Sequence, residues 1–286
     1  MKPPPFKYAR PGHLHEVLTL LSQYGDEAKL LAGGQSLVPM LNFRLLRPSV
    51  LIDLNAVSDM DALTVVDGTL VVGSMVRQRT AERSPDVLTS APLIVQALGH
   101  VGHIQIRNRG TIGGSLINSA PAAELPAVAL VLEAEMVLRT SRGERVVQAS
   151  DFFYGPFTTA AEPDEVLTEV RFHHLPGTRT TFLEVARRSG DFALAGVAAL
   201  ARVDYETRIL TEVRLAAIGV GGGPVRLFGA EAVVTGRHAT PEALRESGAA
   251  AADQVTPSTD LHASGEYRKQ LLNVLVARAL AEIAAL

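Results

Sequence analysis

Leu31-Ala32-Gly33-Gly34-Gln35-Ser36-Leu37-Val38-Pro39 carries the chain from a short apolar segment into paired glycines and then a hydroxyl. Glycines lack a Cβ, so successive backbone N–H groups can approach an anion closely, and Ser36 is suited to cap a helical turn that follows. A second stretch, Ile106-Arg107-Asn108-Arg109-Gly110-Thr111-Ile112-Gly113-Gly114-Ser115-Leu116, repeats the arrangement with hydroxyls on both sides of its glycines. Either loop alone reads more simply as a strand-to-helix turn. Two such loops can clamp one dinucleotide from two sides, which a single loop cannot. Arg107 and Arg109 are candidate counter-charges for phosphate, with solvated surface arginines as the alternative.

Around these loops the pattern divides into three units. Leu14, Val17, Leu18 and Leu21 fall at helical spacing before a stop at Gly25, and the apolar runs 28–32 and 50–54 are short enough for buried strands. Residues 1–57 therefore read as a small α/β unit. Leu63-Thr64-Val65-Val66, Asp67-Gly68 and Leu70-Val71-Val72-Gly73 predict a hairpin with an Asp-Gly turn, opening a second unit over 58–176. That unit continues with helical patterns near 80–84 and 92–101, the second glycine loop and an apolar stretch over 125–138. A third unit, 177–286, holds apolar segments at 180–185, 192–203 and 213–218, then a loop at 219–224. It ends in a helix over 267–284 with Leu271, Leu275, Ala279 and Ile283 on one face.

Composition narrows the chemistry. With 47% hydrophobic and 20% charged residues the 286-residue chain is expected to fold throughout, and a net charge of -3 provides no field for nucleic acid. Its longest apolar run, 192–201, falls short of the roughly 18 residues a membrane span needs. The first residues lack the apolar core of a secretory signal, which makes a cytoplasmic location the expectation. There are no cysteines, so no disulfide, thiolate nucleophile, Cys-based zinc site or Cys-ligated iron–sulfur cluster can be built from this chain, and any such cluster must arrive on a partner. No glycine precedes a lysine, so there is no P-loop, and the nearest approach to G-x-G-x-x-G, at Gly219, has Pro224 in the third glycine position. G-x-S-x-G and H-E-x-x-H are also missing. His100 and His103 have i, i+3 spacing but no local carboxylate, and ordinary packing or surface roles outweigh metal binding. No catalytic side chain and no metal ligand is nominated.

Four blocks in consistent order carry a resemblance that spans the chain: AGGQSLVPMLNFRLLRPSVLIDLN at 32–55, QIRNRGTIGGSLINSAPAAELPAV at 105–128, RRSGDFALAGVA at 187–198 and YRKQLLNVLVARAL at 267–280. Together they resemble the FAD-binding (medium) subunit of molybdenum hydroxylases, the carbon monoxide dehydrogenase and xanthine dehydrogenase family. GSMVRQ, HIQIRNRGT and EVARRSGDFA are most similar to members serving nitrogen heterocycles, such as the caffeine dehydrogenase medium chain.

The resemblance implies an α+β chain: a p-cresol methylhydroxylase-type FAD-binding domain of two α/β subdomains, 1–57 and 58–176, and a C-terminal α+β domain, 177–286, with an antiparallel sheet and helices. It implies that Ala32, Gly33, Gly34, Gln35 and Ser36, with Thr111, Ile112, Gly113, Gly114 and Ser115, hold the FAD pyrophosphate. By the same resemblance Glu124 meets ribose hydroxyls, Val101 and Leu167 pack at the adenine side, and Phe192 covers one face of the isoalloxazine. Beside these stand plainer readings: core packing for Val101 and Leu167, a domain interface for Phe192, and a helix-N-terminal acid for Glu124. The chain departs from the family at Ala120, where relatives carry aspartate, and at Glu184, which replaces a lysine near the flavin or phosphate. Gln35 stands where related flavoproteins can have histidine, so FAD is expected to be noncovalent. The implied role is electron transfer within a cytoplasmic heterotrimer. A small partner carries [2Fe–2S] clusters, a large partner carries molybdenum–pterin, and this chain passes electrons from FAD to an external acceptor. The alternatives are a stand-alone FAD-dependent oxidase or reductase, and a flavin-free assembly subunit.

Overall fold

The computed structural model describes residues 1–204 and 206–285. Strands β1 (Lys7–Ala9), β2 (Ala28–Leu31) and β3 (Val50–Asp53) form a parallel sheet in the order β1-β3-β2, with helices α1 (Leu14–Tyr24) and α2 (Leu37–Asn42) in the connections. The Glu16 carboxylate accepts the Gly12 and His13 amides at the head of α1, satisfying donors that have no partner within the helix. Val17, Leu18 and Leu21 of α1 then bury against Val50, Ile52 and Leu54.

The hairpin of β4 (Leu63–Val66) and β5 (Thr69–Gly73) forms as expected. Helices α3 (Gln78–Arg83), α4 (Pro85–Ser90), α5 (Pro92–Leu98), α6 (Ile104–Arg109), α7 (Ile112–Asn118) and α8 (Glu124–Val131) follow. Next come β6 (Glu135–Thr140), β7 (Gly143–Gln148), a small hairpin of β8 (Phe153–Gly155) and β9 (Thr158–Thr159), and β10 (Val166–His173). The sheet is antiparallel in the order β4-β5-β10-β6-β7. The apolar stretch 125–138 is two elements, not one: α8 ends at Val131, Glu133 turns the chain with φ 50°, and β6 takes over.

A third sheet, antiparallel in the order β11-β12-β13-β14, is built from β11 (Arg179–Ala186), β12 (Ala193–Val203), β13 (Leu210–Ile218) and β14 (Val225–Arg226). It is backed by α9 (Phe228–Val234), α10 (Pro241–Asp253) and α11 (Gly265–Ala284). The loop at 219–224 leads into β14 before the helix, and the apolar stripe of α11 is broader than its four expected residues, adding Leu272, Val276 and Leu280. Both faces of this sheet are covered. Ala195, Val197, Ala199 and Leu215 join the helical core, while Ala198, Leu200, Ala216 and Ile218 join the core that contains Ile94, Leu98 and Val128 from α5 and α8. Among the described residues no helix is long and apolar enough to cross a membrane.

Candidate cofactor site

The first glycine loop leaves the end of β2. Its paired glycines permit a contact that no side chain would allow: a Cβ on Gly33 would fall 2.2 Å from the carbonyl oxygen of Arg109 and 2.8 Å from the Cα of Gly110. The two glycine loops therefore abut backbone against backbone. Ala32 completes the junction, since a Cβ on Gly114 would lie 3.6 Å from that of Ala32. The amides of residues 33–36 donate to no acceptor among the described residues. Ser36 stands at the head of α2 but makes no capping bond, contrary to the sequence reading. Its hydroxyl is exposed beside those amides.

The second loop behaves differently. Thr111 Oγ1 accepts the Gly114 amide at 3.0 Å and so caps α7. The Ile112 amide donates to Val76 O at 3.0 Å, Gly113 to Ser74 O at 2.9 Å and Ser115 to Thr111 O at 3.2 Å. Equivalent amide donation from both loops is thus not what forms. The first loop carries unengaged N–H groups, and the second supplies a buried wall and the half-buried Ser115 side chain. Arg107 is also not a free counter-charge, because its guanidinium pairs with both oxygens of Glu82 and donates to Val101 O and Gly102 O. Arg109 stays exposed.

Sequence reasoning missed the groups that join the loops. Arg77 donates from Nη1 to Arg109 O at 2.6 Å and from Nη2 to Asn55 Oδ1 at 2.5 Å. Asn55 Nδ2 in turn donates to Ala32 O at 3.0 Å. Asn55 is held by Asp53, whose other oxygen accepts Tyr8 OH at 2.5 Å. No spacing rule links positions 8, 53, 55 and 77.

Glu124 is buried as the first residue of α8. Desolvation pushes its carboxyl up to about 8, with the nearby charge of Glu184 acting in the same direction against the bond from its own backbone amide and the charge of His100. The Glu184 side chain is buried as well. One oxygen lies 3.5 Å from His100 Nδ1 and the other has no hydrogen-bond partner among the described residues. His100, packed on Phe182, has its pKa raised chiefly by the hydrogen bond to Glu184. His100 is thus the basic group that faces Glu184.

The remaining candidates lie on other elements. Leu167, 5% exposed on β10, belongs to the middle core, and half-buried Val101 packs on its edge. Phe192 is 74% exposed at the start of β12, so its ring is free to meet a ligand or another chain. The turn before it is seated against α6, where a Cβ on Gly190 would fall 2.5 Å from the His103 ring. Both histidines of the i, i+3 pair thus have packing or pairing roles.

Unengaged amides in a glycine loop, closed by a second loop that carries the exposed Arg109, form a donor set that fits a diphosphate. Residues 4–174 match the family model for the FAD binding domain in molybdopterin dehydrogenase, and residues 180–283 match the CO dehydrogenase flavoprotein C-terminal domain. The chain belongs to the FAD-binding medium-subunit family of the molybdenum hydroxylases. It is 38% identical to caffeine dehydrogenase subunit beta of Pseudomonas sp. (strain CBB1), over 99% of this chain and 96% of that protein. It is 35% identical to the 6-hydroxypseudooxynicotine dehydrogenase complex subunit alpha of Paenarthrobacter nicotinovorans, over 99% of this chain and 95% of the relative. Carbon monoxide dehydrogenase from Hydrogenophaga pseudoflava, in a form lacking the Mo-pyranopterin moiety, superposes with a TM-score of 0.97 at 35% identity, over 100% of this chain and 99% of that one.

Proposed function

We propose that this chain is the electron-transfer flavoprotein subunit of a three-chain molybdenum hydroxylase. In this reading it receives electrons from [2Fe–2S] clusters on a small partner and delivers them to an external acceptor, while a large molybdenum–pterin partner acts on the substrate. The observation that carries it is the set of unengaged amides at residues 33–36, lying against the second glycine loop. Bound FAD supplies the redox chemistry through its isoalloxazine. The chain's own residues bind and orient. Ala32, Gly33, Gly34, Gln35 and Ser36 receive the pyrophosphate against Thr111, Ile112, Gly113, Gly114 and Ser115. Glu124 meets the ribose, Val101 and Leu167 line the adenine side, and Phe192 covers the flavin ring.

With no cysteine and with Gln35 in the loop, the usual covalent anchors are missing, which supports noncovalent FAD. A zero cysteine count also supports clusters held by a partner. A cytoplasmic location belongs to the same reading and has its support in the sequence alone. Division of the chain at residues 57 and 176 is supported by the sheets, since no sheet runs across either boundary. The deciding experiment is the visible spectrum of the purified chain, with chromatography of any chromophore released by heat. One FAD per chain is expected, followed by bleaching when the chain is mixed with the reduced small and large partners. A colourless chain that takes up no added FAD, alone or with its partners, would defeat the proposal.

A further inference from the structure

Ala32 O and the Gly33 N–H belong to one planar trans peptide and point in opposite directions. The Asn55 side chain accepts Arg77 Nη2 and donates to Ala32 O at 3.0 Å, so it fixes that peptide plane and with it the direction of the first unengaged amide of the loop. The other arm of Arg77 draws Arg109 O in at 2.6 Å, the same carbonyl on which Gly33 rests. Two carbonyl oxygens of the kind that would repel a phosphate are thereby engaged by side-chain donors. The arginine backbone is itself bridged to Thr111 of the second loop. One half-buried guanidinium thus spans both loops, and the Asp53–Tyr8 pair braces Asn55 from behind.

We propose that Arg77, acting through Asn55, is a positioning residue for the diphosphate of the cofactor, aiming the Gly33 amide and holding the two loops in register. The inference rests on the FAD reading above and adds residues which that reading does not assign. A residue that positions only the diphosphate acts alike on any ligand carrying one, and leaves the ring environment of bound flavin alone.

The test titrates the complete chain, freed of flavin, with FAD and separately with ADP, for the wild type, Arg77→Gln, Arg77→Lys, Asn55→Ala and the Arg77→Gln/Asn55→Ala pair. Each single loss should weaken both ligands by roughly 10- to 100-fold, the scale of a lost charged hydrogen bond with a buried partner left unpaired. The double variant should be no weaker than the worse single, since both act through one link. Arg77→Lys, keeping the charge and one bond, should recover part of the loss. The spectrum and midpoint potential of saturated variants should match the wild type. Additive losses, a shifted potential, or unchanged affinity alongside a lowered melting temperature would overturn the proposal. If Arg77→Gln does not fold, Arg77→Lys and Asn55→Ala decide by the same criteria. A wild type that binds neither ADP nor FAD overturns the FAD reading together with this inference, whereas wild-type binding matched by every variant overturns this inference alone.

Discussion

At Gly33 one hydrogen atom separates a joined cradle from a split one. Replacement by alanine would put a methyl 2.2 Å from Arg109 O, backbone that no side-chain rotation can clear. The loops must then part, and Gly33→Ala is expected to weaken FAD at least about tenfold with the rest of the fold retained, because the clash is local. Equilibrium dialysis beside far-UV circular dichroism checks this, and unaltered FAD content would remove Gly33 from the junction. Glu124 bears on pH. Its folded carboxyl titrates near 8 against an ordinary 4.5, so folding retains a proton that the unfolded chain gives up, and stability falls as pH rises through that window. His100 works in the same direction: its raised pKa contributes stability below 6.5 that is lost as pH climbs through the folded value. Glu124→Gln in the flavin-free chain should therefore gain on the wild type as pH rises from about 5 to about 8, by roughly 3–4 kcal/mol at 1.36 kcal/mol per pKa unit. Parallel melting-temperature curves for the two proteins would contradict it.

Among the elements, α8 shows why a helix can be hard to read. All eight of its residues are buried, so no polar face marks its period, and its apolar run merges in sequence with that of β6. A strand or helix with one wet face announces itself, as α1 does. The C-terminal end of α8 is tied to the third sheet by Arg226, which donates to Leu130 O, and by Arg214, which pairs with Glu133. Behind them Glu231 of α9 accepts the Leu215 amide at 2.8 Å and Arg226 Nε at 2.5 Å. Glu231→Ala strands a buried amide and leaves the Arg226 guanidinium only Leu130 O and Glu133, and should cost about 2–3 kcal/mol in denaturant unfolding. Glu231→Gln keeps an acceptor oxygen and should cost clearly less. Equal losses for the two would show that packing, not pairing, is what Glu231 provides.

Over the whole molecule, the two segments matched as separate family domains share a wall. Phe182, Ala198, Leu200, Ala216 and Ile218 of the third sheet complete the core that includes Leu93, Ile94 and Leu98 of α5 and Val128 of α8. The C-terminal segment has a helical core of its own, but without its neighbour each segment leaves one apolar face uncovered. Heating the complete flavin-free chain should therefore give one transition for residues 58–285, with near-UV and far-UV signals coincident, and a fragment ending at residue 174 should bind a hydrophobic dye and aggregate. Two resolved transitions for the two segments, or a soluble and cooperative fragment, would show that the shared wall contributes little.

Local patterning in the sequence determined a good part of this. The α/β start, the Asp-Gly hairpin and the terminal helix were legible because each has a wet face or a turn residue that exposes its period, and the three long strands of the last sheet because each is an apolar run bounded by polar or glycine-containing segments. Both glycine loops were legible as well, since glycine in pairs is a local statement about backbone freedom. Tertiary structure alone decided which loop keeps its amides unengaged, that Arg107 is consumed by Glu82 while Arg77 joins the loops through Asn55, and that Glu124 is buried deeply enough to retain its proton. These are outcomes of long-range pairing and burial. Hydrogen bonds between residues 55 and 77, and the desolvation of residue 124, exist only once distant segments exclude water together.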